Sequence, residues 1–168
     1  MENMGKKVEQ HKREQEKQEL QIWGLGNPLL GDDAVGCAVA ERLTARGVPG
    51  VLDCGTTPEN YLAPLRRKPP SALLIVDAAD MGLPPGEFRL LTLEEMSAAA
   101  DSSHGIPPAL LLEPFRASME IVIIGIQPES CRIGSALSAA VERAARLVTE
   151  KIAEGRWREI EKLTPEEL

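Results

Sequence analysis

Four side chains in this sequence have types and positions that could do chemistry. Asp32 and Asp33 stand side by side at the end of the glycine-rich stretch GLGNPLLGDD. Asp77 ends the apolar run SALLIVD, and His104 lies in the stretch SSHGIPP, ahead of another apolar segment. One carboxylate at a helix start, one carboxylate at a strand end and one imidazole make an oxygen, oxygen, nitrogen ligand set. Such a set can bind a transition metal and leave coordination positions open for a partner.

Each of these residues also has a purely structural interpretation. Asp32 and Asp33 could cap a helix or interact favourably with its dipole, Asp77 could cap a turn, and His104 could be an ordinary hydrogen-bonding residue. Nucleotide binding is a poor interpretation of the same glycine-rich stretch. Gly31 comes too late for the GxGxxG pattern, and two carboxylates would occupy the place of the bound anion.

The elements that must position these residues alternate between strand and helix. Apolar runs at 71–77 and 120–125 are typical of strands buried on both faces of a parallel sheet. Further strands are predicted at 19–24, 50–54 and 87–92, the last at a sheet edge. The longest helix is predicted over 135–154, and Pro114 should shorten a helix that begins near Pro108.

This alternation predicts an α/β fold, a three-layer α/β/α domain with a mostly parallel sheet. Ligands of such folds bind beyond the carboxyl ends of the strands, so we expect the site at that edge. We divide the chain into a charged N-terminal extension (1–19), a folded domain (20–155) and a charged, peripheral C-terminal tail (156–168).

Composition narrows the possible partners. The formal net charge of −7 over 168 residues argues against a nucleic-acid partner, whose phosphates require a basic surface. Three cysteines, Cys37, Cys54 and Cys131, include no CxxC pair, which favours reduced thiols in the cytoplasm. No apolar run approaches the roughly 20 residues of a membrane span, so membrane insertion is not expected.

Five stretches, in order, resemble the hydrogenase maturation endopeptidases, which process the large subunit of nickel-iron hydrogenases. They are GLGNPLLGDDAVG, CGTTPENY, ALLIVDAADMGLPPGEFRLL, SSHGIPPALLL and IIGIQPES. The PEN, VDAADMGLPPGE and GIQP segments are most similar to the branch that serves formate-linked, energy-converting hydrogenases. The resemblance covers about residues 21–154.

The resemblance implies a fold, an activity and a site. The fold would be a twisted, mostly parallel mixed sheet between helices, of the phosphorylase/hydrolase-like type. The activity would be that of an aspartic-type endopeptidase that removes a short C-terminal peptide from the large-subunit precursor after nickel insertion. The family's metal-contacting and catalytic residues correspond to Asp33, Asp77 and His104, which leaves Asp32 as the helix cap. Nickel, contributed by the bound precursor, would be the metal, and no organic cofactor is expected.

Two other functions stay open at this point. A nickel-dependent docking module would bind the precursor without cutting it. A peptidyl-tRNA hydrolase also begins with a GLGNP-like turn, but the tyrosine and the histidine-asparagine motif of that family are absent near Asn27. Within the protease interpretation, either the nickel polarises the scissile carbonyl or a carboxylate activates a water. No serine or cysteine has a recognisable nucleophile context, since GxSxG is absent.

Overall fold

A five-stranded mixed sheet forms the centre of the molecule. The computed structural model describes residues 20–99 and 107–167. The sheet consists of β1 (Leu20–Leu25), β2 (Val51–Gly55), β3 (Ala72–Ala78), β4 (Phe88–Leu91) and β5 (Glu120–Ile126). The strands lie in the order β2-β1-β3-β5-β4, and all neighbours are parallel except β4, which runs antiparallel to β5 at one edge. The predicted α/β class, the mostly parallel sheet and the edge position of β4 are therefore confirmed.

Helices cover both faces of the sheet and bury a core on each side. The helices are α1 (Val35–Ala45), α2 (Leu62–Arg67), α3 (Leu93–Ala99), α4 (Pro108–Leu112) and α5 (Ala139–Ala153). Helices α1 and α5 pack over Leu74 and Val76 of β3, whereas α2, α3 and α4 pack over Leu73 and Ile75. Successive side chains of a strand point to opposite faces, which is why a central strand such as β3 is apolar throughout.

The end of α4 and the start of α5 can be compared with the predicted helix boundaries. Helix α4 ends at Leu112 and continues only as a 3-10 turn, Glu113–Phe115, so the expected shortening by Pro114 is confirmed. Helix α5 begins at Ala139, later than predicted, with the Ser138 side chain accepting a hydrogen bond from the Val141 N–H. Residues 127–138 therefore form a loop at the carboxyl edge of the sheet.

The C-terminal segment is integrated into the fold, and the expectation that it is peripheral was wrong. Trp157, Ile160 and Leu163 are buried. The Leu163 N–H donates to the Leu90 carbonyl at 2.9 Å, so the segment lies along β4. Three apolar anchors among many charged residues are too sparse to give a periodic pattern.

Within the described ranges, no helix is long and apolar enough to cross a bilayer.

Helix α1 lies directly against the sheet because two glycines leave no side chain between them. An added Cβ at Gly36 would overlap the carbonyl oxygens of Leu25 and Val76, and one at Gly24 would overlap the carbonyl oxygen of Gly36. The 3-10 turn Gly31–Ala34, which leads into α1, consequently contacts β3. This close packing brings the acidic stretch to the carboxyl edge of the sheet.

Candidate active site

Asp33 is held in a tight turn after β1. Its Oδ2 accepts a hydrogen bond from the Asn27 N–H at 2.8 Å, and its own N–H donates to the Leu30 carbonyl at 3.0 Å. Gly26, at φ +137°, allows this turn, since an added Cβ there would overlap the Asp33 carbonyl oxygen. The Asn27 N–H orients the Asp33 carboxylate through one oxygen.

Asp77 lies near the end of β3, where its backbone is paired with Gly125 of β5. Burial and, to a smaller extent, the neighbouring negative charge of Asp33 together raise the pKa of Asp77 to about 8. The backbone N–H of Ala78 acts in the opposite direction but does not offset these two effects. Asp33 and Asp77, predicted as site residues, therefore lie close enough to repel each other.

A cation could bind between Asp33 and Asp77, and among the described residues no positively charged side chain takes that place. The effects that set the Asp77 pKa include no arginine or lysine. Among residues 20–99 and 107–167, no group of three or more His, Cys, Asp or Glu side chains is arranged to hold a metal ion by itself. His104, the predicted third ligand, lies outside the described residues and stays a prediction.

Asp32 does not cap its own helix, so the role assigned to it from the sequence was wrong. Neither the 3-10 turn Gly31–Ala34 nor α1 has a side-chain cap. Asp32 is fully buried, and its Oδ2 accepts from the N–H groups of Glu129 at 2.8 Å and Ser130 at 2.9 Å, while its Oδ1 accepts from Ser138 at 2.6 Å. Burial would raise its pKa, but these three backbone donors outweigh burial and keep the pKa below the ordinary value.

Asp32 thus joins the loop after β1 to the loop before α5. The Asp32 N–H also donates to the Ser130 carbonyl at 3.0 Å, so the contact runs in both directions. Sequence reasoning missed this role because the bonded residues are about a hundred positions apart, and capping is a purely local explanation.

Cys37 is a further group at the site that sequence reasoning did not select. Its Sγ donates to the Gly26 carbonyl at 3.3 Å. Burial raises its pKa to about 12, with further contributions from Asp53, Asp77 and Asp33. The thiol therefore stays protonated and is no nucleophile, in agreement with the sequence-based expectation.

Gln127, just after β5, fixes the segment that follows Asp77. Its Oε1 accepts from the Met81 N–H at 2.7 Å and from the Leu83 N–H at 3.2 Å, and its Nε2 donates to Asp80 Oδ1 at 3.1 Å. Nothing in the local sequence around Gln127 indicates these partners. Its role in the fold is to hold the β3–β4 connection against β5.

Comparison with known proteins assigns the chain to a family. A family model, HycI, described as hydrogenase maturation protease, matches residues 37–155. The Hydrogenase 3 maturation protease of Escherichia coli (strain K12) is 32% identical over 132 residues, which cover 76% of this chain and 85% of that protein. The chain belongs to the hydrogenase maturation protease family. Asp77 and His104 fall inside the matched residues, and Asp33 lies just before them.

Solved structures of hydrogenase maturation proteases share the fold. The [NiFe] hydrogenase maturation protease HycI from Thermococcus kodakarensis KOD1 superposes with a TM-score of 0.74 at 33% identity, covering 83% of this chain and 92% of that one. The endopeptidase HycI from Escherichia coli gives a TM-score of 0.76 at 28% identity, with 86% and 96% covered. As a hydrogenase maturation protease, the chain is a peptide hydrolase, which decides against the peptidyl-tRNA hydrolase alternative.

Proposed function

We propose that this hydrogenase maturation protease removes a short C-terminal peptide from the precursor of a nickel-iron hydrogenase large subunit. In this proposal Asp33 and Asp77 contact the nickel that the precursor already holds. The observation that carries it is a pair of carboxyl groups at the carboxyl edge of the sheet that repel each other when both are ionised. A cation between them would remove the repulsion, and carboxylate and imidazole ligands suit nickel(II). His104 is the proposed third ligand.

The chain's own residues have distinct parts in this scheme. Asp33 uses Oδ2 for the Asn27 N–H, so its Oδ1 is the oxygen we assign to the metal. Asp77, with a pKa of about 8, holds a proton at neutral pH until a cation approaches, and nickel contact would release that proton. Contact with nickel fixed in the precursor would place one peptide bond beside the two carboxylates, and such positioning can supply a large part of the rate enhancement.

A carboxylate of this pair is also our candidate for the proton acceptor that activates the attacking water, as an aspartic-type mechanism requires. The Cys37 thiol is not available for covalent catalysis, because it stays protonated well above neutral pH. The three cysteines of the chain are free thiols, in keeping with our proposal that the reaction takes place in the cytoplasm.

Precursor length, measured by mass spectrometry, tests the proposal. We expect wild-type protein to shorten nickel-loaded precursor and to leave nickel-free precursor intact. Asp33→Asn and Asp77→Asn should leave both intact, whereas Glu41→Gln, at an exposed position of α1, should cleave like wild type. A stable complex with full-length precursor and no cleavage would instead identify a docking module.

Metal analysis tests whether nickel is brought by the precursor. Protein purified without added nickel should contain far less than one nickel per chain after treatment with a chelator. A stoichiometric nickel content that survives the chelator would show a resident metal and contradict this part of the proposal.

A further inference from the structure

Two exposed apolar side chains lie on the loops that border Asp33. Leu29, in the loop after β1, is 68% exposed, and Ile133, in the loop before α5, is 85% exposed. Among the described residues, the only other exposed large apolar side chains are Leu110 on α4 and Leu147 on α5. A single exposed aliphatic side chain is ordinary on a protein surface, but two neighbouring ones beside a reactive pair need an explanation.

Backbone hydrogen bonds join the two loops into one unit. The Leu29 carbonyl accepts from the Gly134 N–H at 2.9 Å, which places Leu29 beside the residue that follows Ile133. The buried Asp32 carboxylate holds the start and the end of the same loop through Glu129 and Ser138. The loops also touch at Gly31, where an added Cβ would lie 2.6 Å from the Ser130 carbonyl oxygen.

Asn27 connects this unit to the Asp33 carboxylate. The Asn27 side chain accepts from the Leu29 N–H at 2.9 Å, and the Asn27 N–H donates to Asp33 Oδ2 at 2.8 Å. The position of Leu29 is therefore fixed relative to Asp33 before any partner arrives. A fixed surface loses little conformational entropy on binding, which favours association.

We propose that Leu29 and Ile133 form an apolar docking surface for the hydrogenase precursor, where they contact an apolar stretch of its polypeptide next to the bond that is cut. This inference rests on the proposed function. The surface is continuous with the site that the precursor must reach, because Leu29 and Asp33 share Asn27 as a hydrogen-bond partner. The contact does not involve the atoms of the reacting bond, so it acts on precursor affinity and not on the chemical step.

Steady-state cleavage of nickel-loaded precursor tests the docking surface. We expect Leu29→Ser and Ile133→Ser each to raise KM about tenfold, because burial of a large aliphatic side chain contributes at least that factor to association. The double variant should show a larger increase, and kcat should stay within about twofold for all three. The increase should persist at high salt, since apolar contacts are not screened.

Leu147→Ser is the control, because it removes another exposed leucine. Leu147 lies on α5, about 13 Å along the helix axis from Ser138 at a rise of 1.5 Å per residue. This variant should keep the wild-type KM and kcat. Thermal unfolding should be unchanged in all four variants, because each side chain is exposed. An unchanged KM in the double variant, a loss confined to kcat, or an equal increase in Leu147→Ser would overturn the inference. A wild-type protein that cleaves nothing would overturn the proposed function itself, and the docking surface with it.

Discussion

Asp77→Asn should make the protein more stable at neutral pH while it abolishes processing. Burial and the charge of Asp33 raise the pKa of Asp77 to about 8. An amide of nearly the same size is neutral in both the folded and the unfolded chain, so folding no longer requires proton uptake at this position. The same change removes the negative ligand that a cation needs. We therefore expect Asp77 to lower the stability of the metal-free protein while it is required for processing.

The magnitude follows from linkage between proton binding and folding. With a folded-state pKa above the ordinary 3.8, Asp77 binds its proton more tightly in the folded chain than in the unfolded chain. Its contribution to stability is complete below about pH 4 and is lost as the pH rises toward 8. One pKa unit corresponds to about 1.36 kcal/mol. Between pH 5 and pH 7, wild type should lose about 3 kcal/mol of unfolding free energy that Asp77→Asn does not lose.

Urea denaturation at pH 5, 6 and 7, with chelator present, measures this difference. Trp23 is fully buried and Trp157 nearly so, so tryptophan fluorescence reports loss of the core. The two stability curves should diverge as the pH rises, with the variant the more stable protein at pH 7. Glu41→Gln, at an exposed position of α1, should follow wild type at every pH. Parallel stability curves for wild type and Asp77→Asn would show that the pKa of Asp77 is not raised in the folded chain.

Three further predictions concern Asp32, Gly36 and His104. Asp32→Asn should lower the free energy of unfolding by about 3 kcal/mol in urea titrations, because the amide nitrogen replaces an acceptor of buried backbone N–H groups; wild-type stability would contradict this. Since the Asp32 pKa is lowered, its stabilising contribution should be present at neutral pH and lost in acid. Gly36→Ala should lower the free energy of unfolding by about 3 kcal/mol or more in the same titration, because its methyl group would overlap two carbonyl oxygens of the sheet. A smaller loss would show that α1 can move away from the sheet. His104→Ala should abolish precursor cleavage while the unfolding midpoint changes little, and wild-type cleavage should weaken as the pH falls through the imidazole range; an active variant would remove His104 from the site.

Local patterns in the sequence predicted the sheet and the position of Asp77, one of the two aspartates of the candidate site. The run 71–77 is apolar up to its last residue, so both the buried strand β3 and the position of Asp77 at its end could be predicted. The parallel arrangement then places the carboxyl ends of β1 and β3 side by side, which brings Asp33 and Asp77 together. The choice of Asp33 over Asp32 came from the resemblance and not from spacing, because adjacent aspartates at a helix start look alike.

Contacts between distant parts of the chain could not be predicted in this way. Gln127 binds residues 80–83, and the C-terminal segment lies along β4 through Leu163. Such partners are set by the tertiary fold and leave no periodic signal. The predicted helix 135–154 includes residues 135–138 for the same reason, whereas in the structure they belong to the loop before α5, which Asp32 holds through Glu129, Ser130 and Ser138.

The neighbouring aspartates show which buried carboxylates are structural and which are available for chemistry. Both oxygens of Asp32 are used by backbone N–H groups, and its pKa is lowered despite complete burial. Asp77 has a raised pKa, with only the Ala78 backbone acting to lower it. A carboxylate whose charge is already stabilised by three backbone N–H groups gains little from a cation. The unfavourable charge of Asp77 is relieved only by a proton or a cation, and this is the physical basis of our proposal that Asp77 and its neighbour Asp33 have the reactive role.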